Sequence, residues 1–276
     1  MSKFGYVGFK DENGSPYGIK HSNNKPRVSN TPFLYDIAQG NISGHLNVFC
    51  NGYNPDVDNT EEHLWPVGGL YSFPSSAIQM QVVSTNANDA AAGTGVQTVR
   101  IHYLDNTYAE QTEDIILNGT TPVNTVATNI LRINAFHAIA AGSGGKASGN
   151  ISIQSVGGGT TYGQITPGRN NAQQAIYTVP AGKTFYIVKW GVSIGNSSGS
   201  NFATFRLEAT CDNEDGTVFA NLFFTKSTIS CKDGHYDHEF QLPIKCPAQT
   251  DIIISVIGDT VNADAICTAI FEGWYE

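Results

Sequence analysis

The stretch Ala175-Ile-Tyr-Thr-Val-Pro-Ala-Gly-Lys-Thr-Phe-Tyr-Ile-Val-Lys-Trp190 decides the fold class. β-branched and aromatic residues stand on both sides of Pro180-Ala181-Gly182, which reads as a turn between two strands. Similar runs follow toward the C-terminus: Phe202–Thr210, Thr217–Phe224, Tyr236–Phe240, Asp251–Ile257 and Ala265–Tyr275. About seven or eight strands, with turn signals every ~8–12 residues, predict a jelly-roll-like β-sandwich over residues 175–276.

Working outward toward the N-terminus, Gly157-Gly158-Gly159, Gly163, Pro167 and Gly168 predict a linker at 157–174. Upstream, Gln79–Ser84 and Val96–Leu104 alternate apolar and polar residues over part of their length, and Asn150-Ile-Ser-Ile reads as a last strand. Asn118-Gly119 is a hairpin dipeptide, since both residues tolerate positive φ. These features predict a first β-sandwich over 46–156. Residues 1–45 are punctuated by Gly5, Gly8, Gly14, Gly18, Pro16, Pro26 and Pro32. Such spacing denies a helix and predicts an extended arm, with Phe4, Tyr6, Phe9, Phe33, Leu34 and Tyr35 as its anchors on a partner or on its own domain.

Composition agrees with an all-β chain. Charged residues make up only 14% of the 276, and Asn, Thr, Ser and 29 Gly take their place. A net charge of -9 with only 15 Lys plus Arg argues against a nucleic-acid face or binding to an anionic membrane. No run approaches the ~20 apolar residues of a membrane span, and the N-terminus lacks the apolar run of a signal peptide. Synthesis and folding in a cytoplasm are therefore expected. Cys50, Cys211, Cys231, Cys246 and Cys267 contain no C-x-x-C pair, so they predict buried thiols, with a disulfide among the last four left open.

Several motifs imitate chemistry. Gly191-Val-Ser193-Ile-Gly195 has the G-x-S-x-G spacing of a nucleophile elbow, but that turn needs a strand entering a helix, and here a strand meets a polar loop. His235-Tyr-Asp-His238-Glu239 gathers imidazoles and carboxylates at a spacing that suits neither helix nor strand ligation. Asp212-Asn-Glu-Asp-Gly216 resembles the start of a calcium loop, yet the glycine is misplaced and Phe223 stands at the twelfth position. Gly145-Lys146 lacks the flanking residues of a P-loop. No catalytic, metal or cofactor site is expected. Among the aromatics, Trp190 and Trp274 fall in strands, whereas Trp65, in Glu61-Glu-His-Leu-Trp-Pro66, is the best candidate for an exposed contact to a sugar ring.

Local phrases carry a resemblance. Asn30-Thr-Pro-Phe-Leu-Tyr-Asp-Ile-Ala-Gln-Gly-Asn41, Thr60–Gly69, Asn86–Gly95, Leu117–Val123 and Tyr177–Thr184 resemble a group of tailed-phage virion structural proteins. The resemblance implies a head-associated decoration, fibre or turret protein made in the host cytoplasm. It implies a homo-oligomer, a trimer by analogy, bound to the major capsid protein or another virion protein. It carries no active-site residue. A receptor- or carbohydrate-binding protein of the tail or a fibre tip, with a host surface glycan as partner, is the alternative.

Overall fold

The computed structural model describes residues 33–195, 202–259 and 265–276, together with the backbone of four two-residue strands before them. These are β1 (Phe9–Lys10), β2 (Pro16–Tyr17), β3 (His21–Ser22) and β4 (Lys25–Pro26), paired antiparallel as β1–β2 and β3–β4. Met1–Ser43 forms one compact unit, and Gly44–Glu276 forms another.

In the first unit the expected extended course is corrected at α1 (Phe33–Ala38), a helix of six residues. Its signals were in the sequence: Pro32 stands just before the first helical residue and Gly40 just after the last turn. Gly40 has φ 71° and donates its N–H to the Ile37 carbonyl, closing the helix. Phe4 and Tyr6 lie outside the described residues, as does the side chain of Phe9. Phe33, Leu34 and Tyr35 are exposed on α1.

Among the described residues of the second unit every strand pairing is antiparallel, in keeping with the expected all-β class. In chain order its strands are β5 (Leu46–Val57), β6 (Glu62–His63), β7 (Met80–Ser84), β8 (Val96–Asp105), β9 (Glu110–Ile116), β10 (Val123–Asn124), β11 (Ile130–Ala141), β12 (Ile151–Ser155) and β13 (Thr161–Ile165). There follow β14 (Ile176–Thr178), β15 (Phe185–Gly195), β16 (Ala203–Ala209), β17 (Phe224–Cys231), β18 (Gly234–Cys246), β19 (Asp251–Gly258) and β20 (Ala265–Tyr275). One sandwich stacks the sheet β10-β7-β12-β13 on the sheet β11-β8-β9, over a core that includes Met80, Ile101, Phe136 and Ile153. The other stacks β14-β19-β16-β17, with β6 added on β19, against β18-β15-β20-β5, around Trp190, Phe205 and Phe271.

Two details differ from the sequence-based expectation, and a third adds to it. Residues 46–57 were expected in the first sandwich, but β5 pairs along β20 from Leu46↔Tyr275 to Val57↔Ala265, so they close the second. Asn118-Gly119 turns the chain, with Gly119 at φ 60°, but does not make a hairpin: β9 pairs with β8 and β10 with β7, so the chain passes from one sheet to the other. The expected loop at 86–95 is pinned from inside by Asp89, a fully buried carboxylate. It accepts hydrogen bonds from the Ser84 hydroxyl and from the N–H groups of Val96, Ser148 and Gly149 at 2.7–2.9 Å.

The two sandwiches share a face. β19 is buried on both sides: Ile252, Ile254 and Val256 enter the second core while Ile253, with Ile176, enters the first. The unbroken apolar run at 252–254 is the sequence mark of a strand covered on both faces.

Candidate functional site

Each imitation of a chemical site can be followed to its atoms. Ser193 lies inside β15, paired to His235 on one side and Thr268 on the other. A nucleophile elbow needs a sharp turn over an oxyanion pocket, and a strand in mid-sheet provides neither. Gly145, at φ 68°, closes a turn by donating to the Gly142 carbonyl, and its own carbonyl accepts from Asn170 Nδ2 at 3.0 Å. No cradle of N–H groups forms there.

His235 and Asp237 share the outer edge of β18, with His235 Nε2 at 2.8 Å from Asp237 Oδ1 and Lys189 Nζ at 3.0 Å from Oδ2. The Lys189 hydrogen bond, aided by His235, holds the Asp237 carboxyl below the usual range. His238 is turned away and packs edge-on against Phe240, ring centroids 4.8 Å apart. The two imidazoles are not brought together. Among the described residues no three His, Cys, Asp or Glu side chains gather as metal ligands.

The loop after Cys211 is the most elaborate of these places. Asp212 Oδ1 accepts from the N–H groups of Glu214, Asp215 and Gly216 at 2.8–3.1 Å. Asp215 Oδ1 accepts from the N–H and hydroxyl of Thr217. Those bonds, the Thr217 hydroxyl first, hold the Asp215 carboxyl below its usual range. The cation that the loop surrounds is its own: Lys226 Nζ donates to the carbonyls of Cys211 and Asp212 and to Asn213 Oδ1 at 2.6–2.8 Å. An ammonium on β17 thus occupies the place that the resemblance to a calcium loop offered to an ion.

Trp65 corrects an expectation. It is only 4% exposed, its ring meets Tyr71 edge-on at 5.1 Å, and its indole N–H donates to the Gly69 carbonyl. It is a core residue of the first sandwich and presents no face to a sugar. The adjacent Gly68 and Gly69, at φ 76° and 64°, fold the chain back over the ring. Trp190 is fully buried, and Trp274 stacks on Tyr186 at 5.3 Å.

Two features escaped the sequence. Arg132 on β11 and Asp251 on β19 form a buried bidentate pair at 2.8 and 2.9 Å, joining the two sandwiches. Arg132 also donates to the Pro74 carbonyl and lies over the Phe73 ring, while Asp251 accepts from the Thr178 hydroxyl. Nothing in the sequence pairs residues so far apart. The second feature is β18, an edge strand of 13 residues, solvent-facing along most of its length. Its register on β15 jumps from Ile187↔Ile244 to Lys189↔Glu239, so residues 240–243 bulge out. Pro243, which has no N–H to give the ladder, sits in that bulge, and Leu242 beside it is 85% exposed.

No protein-family model matches the chain, and no curated protein matches it. Among solved structures, infectious bursal disease virus of the Gt strain aligns over 89% of this chain and 77% of its own, at 10% identity and TM-score 0.18. The Gx strain aligns over 84% and 70%, at 9% identity and TM-score 0.20. The VP2 subviral particle of the same virus aligns over 88% and 76%, at 10% identity and TM-score 0.18. Scores this low carry no argument about fold or role.

Proposed function

We propose that this chain is a non-enzymatic virion structural protein of a tailed phage, a capsid decoration or head-projection protein. One observation carries the reading. The polar clusters that imitate chemical sites are saturated by the chain's own groups and serve to hold strands and turns in place. Lys226 fills the acidic loop and Ser193 sits within a ladder, and the loop at 86–95 is likewise held from inside by Asp89 with its four donors. Such a molecule works by burying surface on a neighbour. The local phrases that resemble phage virion proteins supply the context, and the exposed Phe33, Leu34 and Tyr35 on α1 would supply apolar contacts for a capsid partner. Many copies on one shell turn weak contacts into lasting attachment. The tail or fibre-tip reading loses its best glycan contact, because Trp65 is enclosed in the core.

Quantitative mass spectrometry and imaging of purified particles test the proposal. Copies spread over the head in numbers comparable to the capsid lattice are expected. A handful confined to the tail overturns it in favour of receptor binding, and absence from the particle overturns both. The purified chain should have three times its 29.6 kDa mass in solution. A stable monomer at micromolar concentration would remove the trimer from the proposal.

A further inference from the structure

Two histidines on neighbouring strands stand in contact, away from every cluster described above. His102 on β8 pairs with Ala135 and His137 on β11 pairs with Arg100, so the two side chains are diagonal neighbours across the ladder. Ile101 and Phe136 beside them point into the first core, which leaves both imidazoles on the outer face of the sheet β11-β8-β9. The half-buried rings stack, with centroids 5.2 Å apart and planes 24° from parallel. Each nitrogen lone pair lies in its ring plane, so rings laid face to face do not converge on one metal ion.

Few charges face the stack. His102 faces Arg100, Glu110 and Asp114, and His137 faces His102, Arg100 and Asp114. Arg100 is held by Asp114 through two bonds, Nε to Oδ1 at 2.6 Å and Nη2 to Oδ2 at 2.8 Å. Glu110 accepts the Tyr275 hydroxyl at 3.1 Å. On the far side of β11 the neighbours are uncharged: His137 bridges to Asn171, and Ala138 donates its N–H to the Asn170 carbonyl at 2.7 Å. A cavity of about 330 Å3, lined by His102, Glu110, Thr112 and Asn134, opens beside the stack. Water, at ~30 Å3 a molecule, can reach the rings through it.

We propose that the His102–His137 stack is an acid-released clasp, which holds the outer end of β11 on β8 while both rings are neutral and lets go when they are protonated. With both rings charged, three cations, Arg100 included, face two carboxylates that already have partners. Repulsion between facing imidazoliums then opposes the ladder. The outer end of β11 is the part free to respond. Past His137 its register on β8 shifts between Ala138 and Ala140 and again between Ala140 and Ala141, and residues 139–141 are exposed. Before His137, Ile133 and Phe136 are fixed in the first core.

The direction of the response follows from the surroundings. Burial first, then the Arg100 charge, holds the His102 ring below its ordinary 6.5, against the pull of Glu110 and Asp114. Burial, then His102 and Arg100, does the same for His137, opposed by Asp114. Rings depressed in the folded chain are protonated first in the unfolded one. The clasp's contribution is thus fully present above pH 6.5 and declines as the pH falls below it.

Hydrogen exchange of the full chain, read by mass spectrometry, tests the clasp. Corrected for the intrinsic rate, peptides covering 137–141 should exchange ~10-fold faster at about pH 5 than at about pH 7.5, while β19 keeps its protection. His102→Gln and His137→Gln should each remove that dependence, and His63→Gln should leave it in place. In the unsubstituted chain, exchange at the imidazole C2 carbon reads each ring's titration. Both should titrate below 6.5 and in two separate steps. Arg100→Gln, which removes a cation and frees Asp114, should bring both up. Equal protection of 137–141 at the two pH values, or loss of protection over β19 at the same time, would overturn the proposal. So would a ring that titrates at or above 6.5, or an acid response that survives both histidine variants. The exchange map and the titration need no variant to fold.

Discussion

At the scale of single residues, a few buried polar groups are the places where one substitution strands a partner. Burial opposes the charge on Arg132, but the Asp251 carboxylate more than offsets it and holds the guanidinium protonated. Removing one member of such a pair strands the other without water. Arg132→Met should therefore cost ~3–5 kcal/mol, whereas the double change Arg132→Met with Asp251→Leu should cost less than the single change alone. Urea denaturation at constant slope reads both, and a single-variant loss below about 1 kcal/mol would mean that water already reaches the pair. His63 makes a second case. Burial lowers its pKa from 6.5 to about 4, partly countered by the charge of Glu61, and its Nδ1 accepts the Tyr71 N–H at 2.9 Å. A histidine depressed in the folded state is protonated first in the unfolded one. Its contribution is thus fully present above pH 6.5 and declines as the pH falls toward 4, by roughly 3 kcal/mol in all. His63→Gln should flatten the stability curve across that window, and an unchanged slope would assign the pH dependence to other groups.

At the scale of elements, strand content was legible where side chains alternate, and illegible where partners are chosen by register. Period-2 runs at Val96–Leu104 and Ala203–Ala209 announced strands because each has one face in a core. The short helix Phe33–Ala38 was missed because Gly and Pro dominate the segment on average, although Pro32 and Gly40 frame that one turn. Trp65 was misread because the loop-like stretch Glu61–Pro66 suggests exposure, and only tertiary packing folds it inward. The saturated loop at 212–217 could not be foreseen, since Lys226 reaches it from the next strand. Register also creates close approaches. β15 carries Val188 as an extra residue between Ile187↔Gly273 and Lys189↔Glu272, bringing the two backbones together. A Cβ on Gly273 would run into the Tyr186 carbonyl oxygen, whereas one on Gly195 meets only ordinary contact with Ile266. Gly273→Ala should cost ~1–3 kcal/mol through overpacking and Gly195→Ala within about 0.5 kcal/mol, read as shifts in thermal midpoint. Equal shifts would mean that the bulge yields without strain.

At the scale of the whole molecule, the chain's two β-sandwiches were legible, but their independence was not. Glycines at 157–159, each with positive φ, look like the hinge between separable domains. The turn instead joins β12 to β13 within one sheet, where Ser155 closes it by donating its hydroxyl to the Gly158 carbonyl. The halves are held by β19, whose Ile253 fills one core while Ile252 and Ile254 fill the other, and by the Arg132–Asp251 pair. They are also tied by the chain's path, because β5 and β6 precede the first sandwich in sequence yet belong to the second. Neither half can shed the other without exposing a face of β19 and stranding a charge. Residues 44–276 should therefore unfold in a single calorimetric transition, with van't Hoff and calorimetric enthalpies equal. Fragments 46–156 and 175–276, expressed separately, should each fail to reach a cooperative fold: the first lacks the cover of Ile176 and Ile253, and the second lacks β5. Two resolved transitions, or a fragment 175–276 that unfolds sharply alone, would show that the shared strand contributes less than the separate cores.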